Sequence, residues 1–215
     1  SELHPDAEFS FEAHPANTTV DHLQTLFDLG FRRLSLGIQD FDPKVQFIIN
    51  RRQTFEQVQL VTQQARRIGY NSINFDLIYG LPLQTMAGLA KTMSQVAELM
   101  PDRIAFYSYA HVPWIKPGQR RFTENDLPNP TEKSRLYEIG RSLLKNYGYQ
   151  EVGMDHFALQ VGELLNAERT GKLHRNFMGY THQETEQLIG LGVSSISDSL
   201  YGFAQNVKVL EDYLE

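Results

Sequence analysis

Apolar and polar residues alternate along Glu8-Phe9-Ser10-Phe11-Glu12-Ala13, the period of a β-strand with two unlike faces. Thr18 then reads as a helix N-cap, with Asp21 at the third helical position and Val20, Leu23, Leu26 and Phe27 on one face. Gly30 supplies the left-handed residue that ends this helix. A second strand follows at Leu34-Ser35-Leu36-Gly37-Ile38-Gln39. The capping pair Thr54 and Gln57 opens a helix whose apolar stripe is Val58, Val61, Ala65 and Ile68, and Gly69 closes it. Residues 73–79 make a third strand, 85–100 a helix stopped by Pro101, and 104–110 a fourth strand.

Strand and helix alternate with short joints, the signature of a parallel sheet wound by right-handed crossovers. Gly30-Phe31 and Gly69-Tyr70 lie 39 residues apart, the length of one βα unit, and Gly148-Tyr149 repeats the joint. So few units favour a barrel or an open α/β sheet over a solenoid. Beyond residue 111, Pro113, Pro117, Pro128 and Pro130 break up a long connection. Asn129-Pro130-Thr131-Glu132 then caps a helix to about Tyr147, and Glu151 to Met154 is a short strand that extends the sheet. A short helix, the polar stretch His174-Arg175-Asn176, a Gly/Ser segment from Gly190 to Ser197 and an amphipathic stretch towards Glu215 complete the chain. The expected division is 1–112, the later part of an α/β barrel, and 113–215, its completion with an α-rich extension.

The strand faces differ in chemistry. Phe9, Phe11, Leu34, Leu36, Ile38, Ile73, Phe75 and Leu77 share one face and suit packing against helices. The other face carries Ser10, Glu12, Ser35, Gly37, Gln39, Asn74 and Asp76. Either that face meets water in an open sheet, or it meets a ligand that satisfies it. The C-terminal ends of such strands, here near Glu12, Gln39, Asp76 and Tyr109, are where these folds bind substrates.

Composition narrows the chemistry. The 215 residues are 41% hydrophobic and 21% charged, ordinary globular usage. A net charge of -6 and a pI near 5.6 offer no basic field for a nucleic acid. No apolar run reaches the ~20 residues of a membrane span, and no basic-then-apolar leader opens the chain, so a cytoplasmic location is expected. The cysteine count is zero, which excludes disulfides, thiol nucleophiles and thiolate-held metal within these residues. The seven histidines show no pair at zinc-helix spacing, so no protein-held metal is expected.

Several segments resemble the later core strands of radical S-adenosylmethionine enzymes, and more narrowly the oxygen-independent coproporphyrinogen III oxidase family. They are Phe11-Glu12-Ala13-His14-Pro15, Arg33 to Phe41, Asn50-Arg51-Arg52-Gln53 and Asn74 to Pro82. Tyr109-Ala110-His111-Val112-Pro113, Gly153 to Ala158, His174-Arg175-Asn176-Phe177, Gly179-Tyr180-Thr181 and Gly190 to Ser197 extend the likeness over essentially the whole chain. The resemblance implies a partial TIM-like barrel, starting at about the third barrel strand and ending before the family's C-terminal domain. The family's Cys-x3-Cys-x2-Cys loop and Gly-Gly-Thr segment are not in this sequence. The chain is therefore expected to be an internal fragment, inactive alone, of a monomeric cytoplasmic parent. Its first strand, left at a sheet edge, is expected to invite association.

By position, the resemblance assigns Glu12 and Ile196 to a cluster-bound S-adenosylmethionine. It assigns Gln39, Arg51, Asp76 and Ala110 to a second such molecule. In the parent, a 4Fe-4S cluster and two S-adenosylmethionine molecules would act on coproporphyrinogen III. Two propionates would be oxidatively decarboxylated to vinyl groups, giving protoporphyrinogen IX. The residues alone leave other readings open. Arg51 also fits a solvated surface arginine, Asp76 a strand carboxylate bonded to a backbone amide, and Glu12 a simple pair with His14. Asp155-His156 fits either a tetrapyrrole-facing site or a structural pair. Gly190 to Ser197 lacks the context of a phosphate loop and reads as close backbone packing around a ligand. A heme-binding chaperone on the same scaffold is the competing function; such relatives carry Gln-Ser-Phe where this chain has Gln39-Asp40-Phe41.

Overall fold

The computed structural model describes residues 7–159, 163–176, 179–183 and 185–214. By compactness the chain forms two units, 1–162 and 163–215. In the first, β1 (Ser10–Ala13), α1 (Val20–Asp28), β2 (Arg33–Gln39), α2 (Pro43–Ile48), α3 (Phe55–Ile68) and β3 (Ser72–Tyr79) are followed by α4 (Met86–Leu99) and β4 (Arg103–Ser108). Then come α5 (Pro130–Asn146), β5 (Tyr149–Val152) and β6 (His156–Leu159). One six-stranded sheet results, in the order β1-β2-β3-β4-β6-β5. β1 to β4 are parallel, as the alternation of elements predicts. β6 runs antiparallel to β4 and pairs with β5 as a hairpin. The expected strand at 151–154 starts two residues earlier, and β6 coincides with a stretch that reads in sequence as a motif rather than a strand.

Local chemistry accounts for the helix ends. The cap of α1 is Thr19 and not Thr18: Thr19 Oγ1 accepts from the His22 amide at 3.2 Å, while His22 Nδ1 accepts from the Thr19 amide at 3.3 Å. The Thr18 hydroxyl donates instead to the His14 carbonyl at 2.9 Å. The Thr54–Gln57 box of α3 forms as expected, at 3.2 and 2.9 Å. Gly30, Gly69 and Gly148 take φ of 100°, 114° and 93°, the left-handed conformation that ends a helix cheaply only with glycine. The aromatic after the glycine anchors two of these joints. Tyr70 donates its hydroxyl to the Leu23 carbonyl at 2.8 Å and Tyr149 donates to Pro101 at 2.7 Å. The short α2 has no periodic stripe to announce it; Asp42 caps it by accepting from the Lys44 amide at 2.8 Å.

The sheet's apolar face packs against α1, α3, α4 and α5. Leu34, Leu36, Ile38, Ile73, Phe75, Leu77, Ile104 and Phe106 form one core with Leu23, Val58, Leu89, Met93 and Leu136. The division expected at 112/113 does not coincide with the compact units, because α5, β5 and β6 pack with the first.

The second unit holds α6 (Glu163–Arg169), β7 (His174–Asn176), β8 (Gly179–Thr181), β9 (Gln187–Leu188), β10 (Ile196–Ser199), β11 (Gly202–Gln205) and α7 (Leu210–Leu214). β7 pairs with β8, and β9, β10 and β11 form a separate antiparallel sheet. The region beyond 112 thus combines helices with short strands of two to four residues. Among the described residues, no helix is long and apolar enough to cross a membrane.

Candidate functional site

The pleat places alternate residues of β2 and β3 on opposite faces, and their burial alternates in step. Register then sets polar side chains side by side: Glu12 is opposite Ser35, Ser35 opposite Asn74, and Gly37 opposite Asp76. Ser35 Oγ donates to Asp76 Oδ2 at 3.2 Å. Asn74 Nδ2 donates to Asp76 Oδ1 at 2.8 Å and to Ser35 Oγ at 3.0 Å. Asp76 is therefore held by side chains of its own sheet face rather than by a backbone amide. Burial pushes its carboxyl above the ordinary range, and the Glu12 charge adds to this. The bonds from Asn74 and Ser35 and the charge of Arg51 act in the opposite direction.

Arg51 is half-buried, not a solvated surface residue. Its Nη2 donates to the Gly37 carbonyl and its Nε to Gln53 Oε1 at 3.3 Å. Burial lowers the pKa of its guanidinium, and Asp76 opposes that shift. The sheet makes room for it at Gly37, where an added Cβ would lie 2.8 Å from Arg51 Nη2 and 2.9 Å from Gln39 Nε2. At Gln39 the β2–β3 register shifts, and this non-glycine residue takes φ of 67°. Such backbone is held by its surroundings and gathers at ligand sites.

A cavity of about 650 Å³ opens at these strand ends, lined by His14, Gln39, Asn50, Arg51, Tyr109 and Ile115 among others. His14 Nδ1 accepts from the Ala16 amide at 3.2 Å, so it acts as a local cap and not through the alternative pair with Glu12. Burial, then the Arg51 charge, lowers its pKa and favours the neutral ring, with the proton on Nε2. Gln39 and Arg51 thus share the cavity, while Glu12 and Asp76 lie on the polar row beside it. Ala110 is exposed next to Tyr109, and its carbonyl accepts from Gln119 Nε2 at 3.1 Å. Ile196 belongs to the second unit, where it pairs with Gln205. A Cβ on Gly190 would lie 2.6 Å from the Ile196 carbonyl oxygen, so this glycine packs on protein backbone.

Sequence reasoning missed Asp40, which is fully buried beside Gln39. Its Oδ1 accepts from the Thr92 hydroxyl at 2.6 Å and the Asp42 amide at 2.8 Å, and its Oδ2 from Gln84 Nε2 at 2.6 Å. The Asp40 carbonyl accepts from Gln46 Nε2 at 2.9 Å, and Gln46 Oε1 from the Gln53 amide at 3.2 Å. Gln53 Nε2 in turn donates to the Ile38 carbonyl at 2.6 Å. This chain of bonds ties the loops after β2 and β3 to α4 and seats Arg51. The one signal in the sequence was an acidic residue directly after a polar strand end. Asp155 and His156 form a close pair, Oδ1 to Nδ1 2.7 Å, with His156 buried at the start of β6 and edge-on to Tyr107, which favours the structural reading.

These groups suit a ligand that carries a carboxylate with hydroxyl or amino groups. Arg51 presents a planar cation, Asp76 and Glu12 present acceptors, and Gln39 offers both a donor and an acceptor. An iron–sulfur cluster does not fit them, since no thiolate is available in the chain.

Residues 2–96 match the radical SAM superfamily. The chain is 49% identical over 208 residues to an oxygen-independent coproporphyrinogen III oxidase of Helicobacter pylori, covering 97% of this chain and 46% of that protein. It is 45% identical over 214 residues to that of Escherichia coli, covering 100% of this chain and 47% of that one. A solved structure described as coproporphyrinogen III oxidase (HemN) from Escherichia coli, a radical SAM enzyme, superposes with a TM-score of 0.92. Identity there is 47%, over 96% of this chain and 48% of the other. The chain spans about half the length of the curated relatives it matches. The resemblance read from its motifs is borne out: along nearly its whole length this chain is homologous to the oxygen-independent coproporphyrinogen III oxidases of the radical SAM superfamily.

Proposed function

We propose that this chain forms the part of an oxygen-independent coproporphyrinogen III oxidase that binds S-adenosylmethionine and faces the tetrapyrrole. The observation that carries the reading is the meeting of Arg51, Gln39, Asp76 and Glu12 at one end of a parallel sheet beside a 650 Å³ cavity. Arg51 holds the methionine carboxylate, and its anchor on Gly37 fixes the direction from which that carboxylate is met. Gln39 and Asp76 take the ligand's amino and hydroxyl groups, with Asn74 and Ser35 holding the Asp76 oxygens in place. Ala110 lines this same, second S-adenosylmethionine, and Glu12 contacts the cluster-bound one, to which the resemblance also assigns Ile196. In the whole enzyme these molecules, with a 4Fe-4S cluster bound by thiolates from outside these residues, supply radical chemistry for oxidative decarboxylation of coproporphyrinogen III to protoporphyrinogen IX. This chain's part is to orient, shield and exclude water.

The test uses the full-length protein under anaerobic conditions. Arg51→Ala and Asp76→Ala each lower coproporphyrinogen III turnover tenfold or more while the visible absorbance of the cluster is retained. A wild-type protein that binds heme stably and forms no vinyl product overturns the reading.

A further inference from the structure

The cavity beside Arg51 has a rim of unusual charge. Residues 113–121 read Pro-Trp-Ile-Lys-Pro-Gly-Gln-Arg-Arg, three cations and no carboxylate, in a chain whose net charge is -6. Lys116, Arg120 and Arg121 are all exposed. Large apolar side chains stand out among them: Trp114 is 71% exposed, Ile115 69% and, on α2, Phe47 60%. The Arg121 guanidinium lies 5.7 Å from the centre of the Phe47 ring, so α2 and the 113–121 segment meet in one surface next to the cavity that Ile115, Lys116 and Gln119 line.

This rim is fixed in place. Gln119 Oε1 accepts from the Val112 amide at 2.5 Å, and Arg120 Nε donates to the Pro113 carbonyl at 2.9 Å. The Ile115 and Lys116 amides both donate to the Val112 carbonyl at 2.9 Å. Ile115, Lys116 and Gln119 line the cavity itself, and none of its lining residues is an aspartate or glutamate. Exposed aromatic and aliphatic surface interleaved with cations suits a flat apolar molecule with several carboxylates at its edge.

We propose that residues 113–121 with Phe47 form the rim that seats the tetrapyrrole, Trp114, Ile115 and Phe47 against the macrocycle and Lys116, Arg120 and Arg121 on its propionates. This rests on the oxidase reading and deepens it by naming the residues that recognise the four carboxylates of coproporphyrinogen III. The rim selects a tetracarboxylate over a more apolar dicarboxylate of similar size, because each propionate gains a charge-assisted partner.

Trp114 is the chain's single tryptophan, so indole emission arises from this rim, and the rim and helix variants localise the quencher. The probe is coproporphyrin III, the air-stable oxidised macrocycle with the same four propionates, compared with mesoporphyrin IX, which has two. Saturable quenching of Trp114 is expected, about tenfold tighter for coproporphyrin III and weakened by salt. Arg120→Gln/Arg121→Gln loses this preference and binds coproporphyrin III at least tenfold more weakly. Arg67→Gln/Lys91→Gln, which removes the same charge from exposed helical positions, binds as the wild type does. Far-ultraviolet circular dichroism checks that each variant is folded. Unchanged binding by the rim variant, equal loss in the helix variant, no saturable quenching, or a preference for mesoporphyrin IX each overturns the assignment. None of these touches the oxidase reading, which stands or falls on turnover by the full-length protein.

Discussion

Arg51 reaches back fourteen residues to donate to the carbonyl of Gly37, where the missing Cβ leaves room for its guanidinium. A methyl group there would lie 2.8 Å from Arg51 Nη2 and 2.9 Å from Gln39 Nε2, and both are ends of flexible side chains that can move. Gly37→Ala therefore displaces the Arg51 guanidinium and the Gln39 amide and spares the fold. Replacing a strand glycine whose conformation alanine can adopt stabilises by about 0.5–1 kcal/mol through the unfolded chain. Thermal unfolding should thus show Tm unchanged or raised. Calorimetry on the full-length protein should show S-adenosylmethionine affinity reduced about tenfold. A fall in both would assign Gly37 to the fold instead.

Asp40 sets the opposite case. Alanine there strands the Thr92 hydroxyl and the Asp42 amide and leaves Gln84 Nε2 with only the Ile78 carbonyl. Unsatisfied buried donors cost about 1–3 kcal/mol each, moderated where a hydroxyl can turn, so Asp40→Ala should lose about 2–4 kcal/mol in equilibrium denaturation. Asparagine keeps one acceptor but aims its amide at Gln84 Nε2, a donor whose own Oε1 is engaged by the Gly80 amide at 2.7 Å. Asp40→Asn should therefore fall between the wild type and alanine.

What the chain discloses before it folds follows physical scale. Periodicity over a strand or a long helix, and a capping pair, are local signals; β1 to β4, α3, α4 and α5 were all legible from them. So was the polar face, because the pleat fixes which residues share it. The pairing of Ser35 with Asp76 needs the register between β2 and β3, forty-one residues apart, which no local pattern states. The Asp40 hub draws on α4 and the turn after β3, and a lone aspartate after a strand looks the same whether buried or not. α2 spans fewer than two helical turns, and β7, β8 and β9 of the second unit are only two or three residues long, too short to repeat a pattern. Glu12, Gln39 and Asp76 were read from family motifs and the sheet face together, whereas Arg51 and Ala110, in loops, came from the motifs. Ile196 rests on the motif alone.

Gly140 on α5 faces the Phe106 ring, where an added Cβ would lie 2.6 Å from two ring carbons and 3.0 Å from Met93 Cε. Phe106 is fully buried and packed against Tyr79 at 4.9 Å and Tyr137 at 6.0 Å between ring centres, so it cannot retreat. Alanine gains about 1 kcal/mol of helix propensity. Overpacking of a filled core costs about 1–3 kcal/mol, and the rigid neighbours place this site at the upper end. Gly140→Ala should destabilise by about 1–2 kcal/mol in urea. Gly118→Ala, with open space around it, should stay within about 0.5 kcal/mol of the wild type.

Asp76 gives the molecule a pH dependence that can be read by substitution. Burial and the neighbouring Glu12 raise its folded-state pKa above the ordinary 3.8, so the folded protein binds this proton more tightly than the unfolded chain does. Stability from this group is complete below the unfolded pKa and declines as pH rises through the folded pKa, where the carboxylate must ionise against its surroundings. Asparagine carries no charge to desolvate, and its amide can still accept from Asn74 and meet the Ser35 hydroxyl. Asp76→Asn should therefore match the wild type near pH 3.5 and exceed it at pH 7, with Tm higher by on the order of 2–4 °C for about 1 kcal/mol. The same variant loses an acceptor charge beside Arg51, so S-adenosylmethionine binding by the full-length protein should weaken as stability improves. A Tm gap that stays constant from pH 3.5 to 7 would mean that the carboxyl titrates normally and that the polar row is better hydrated than its burial implies.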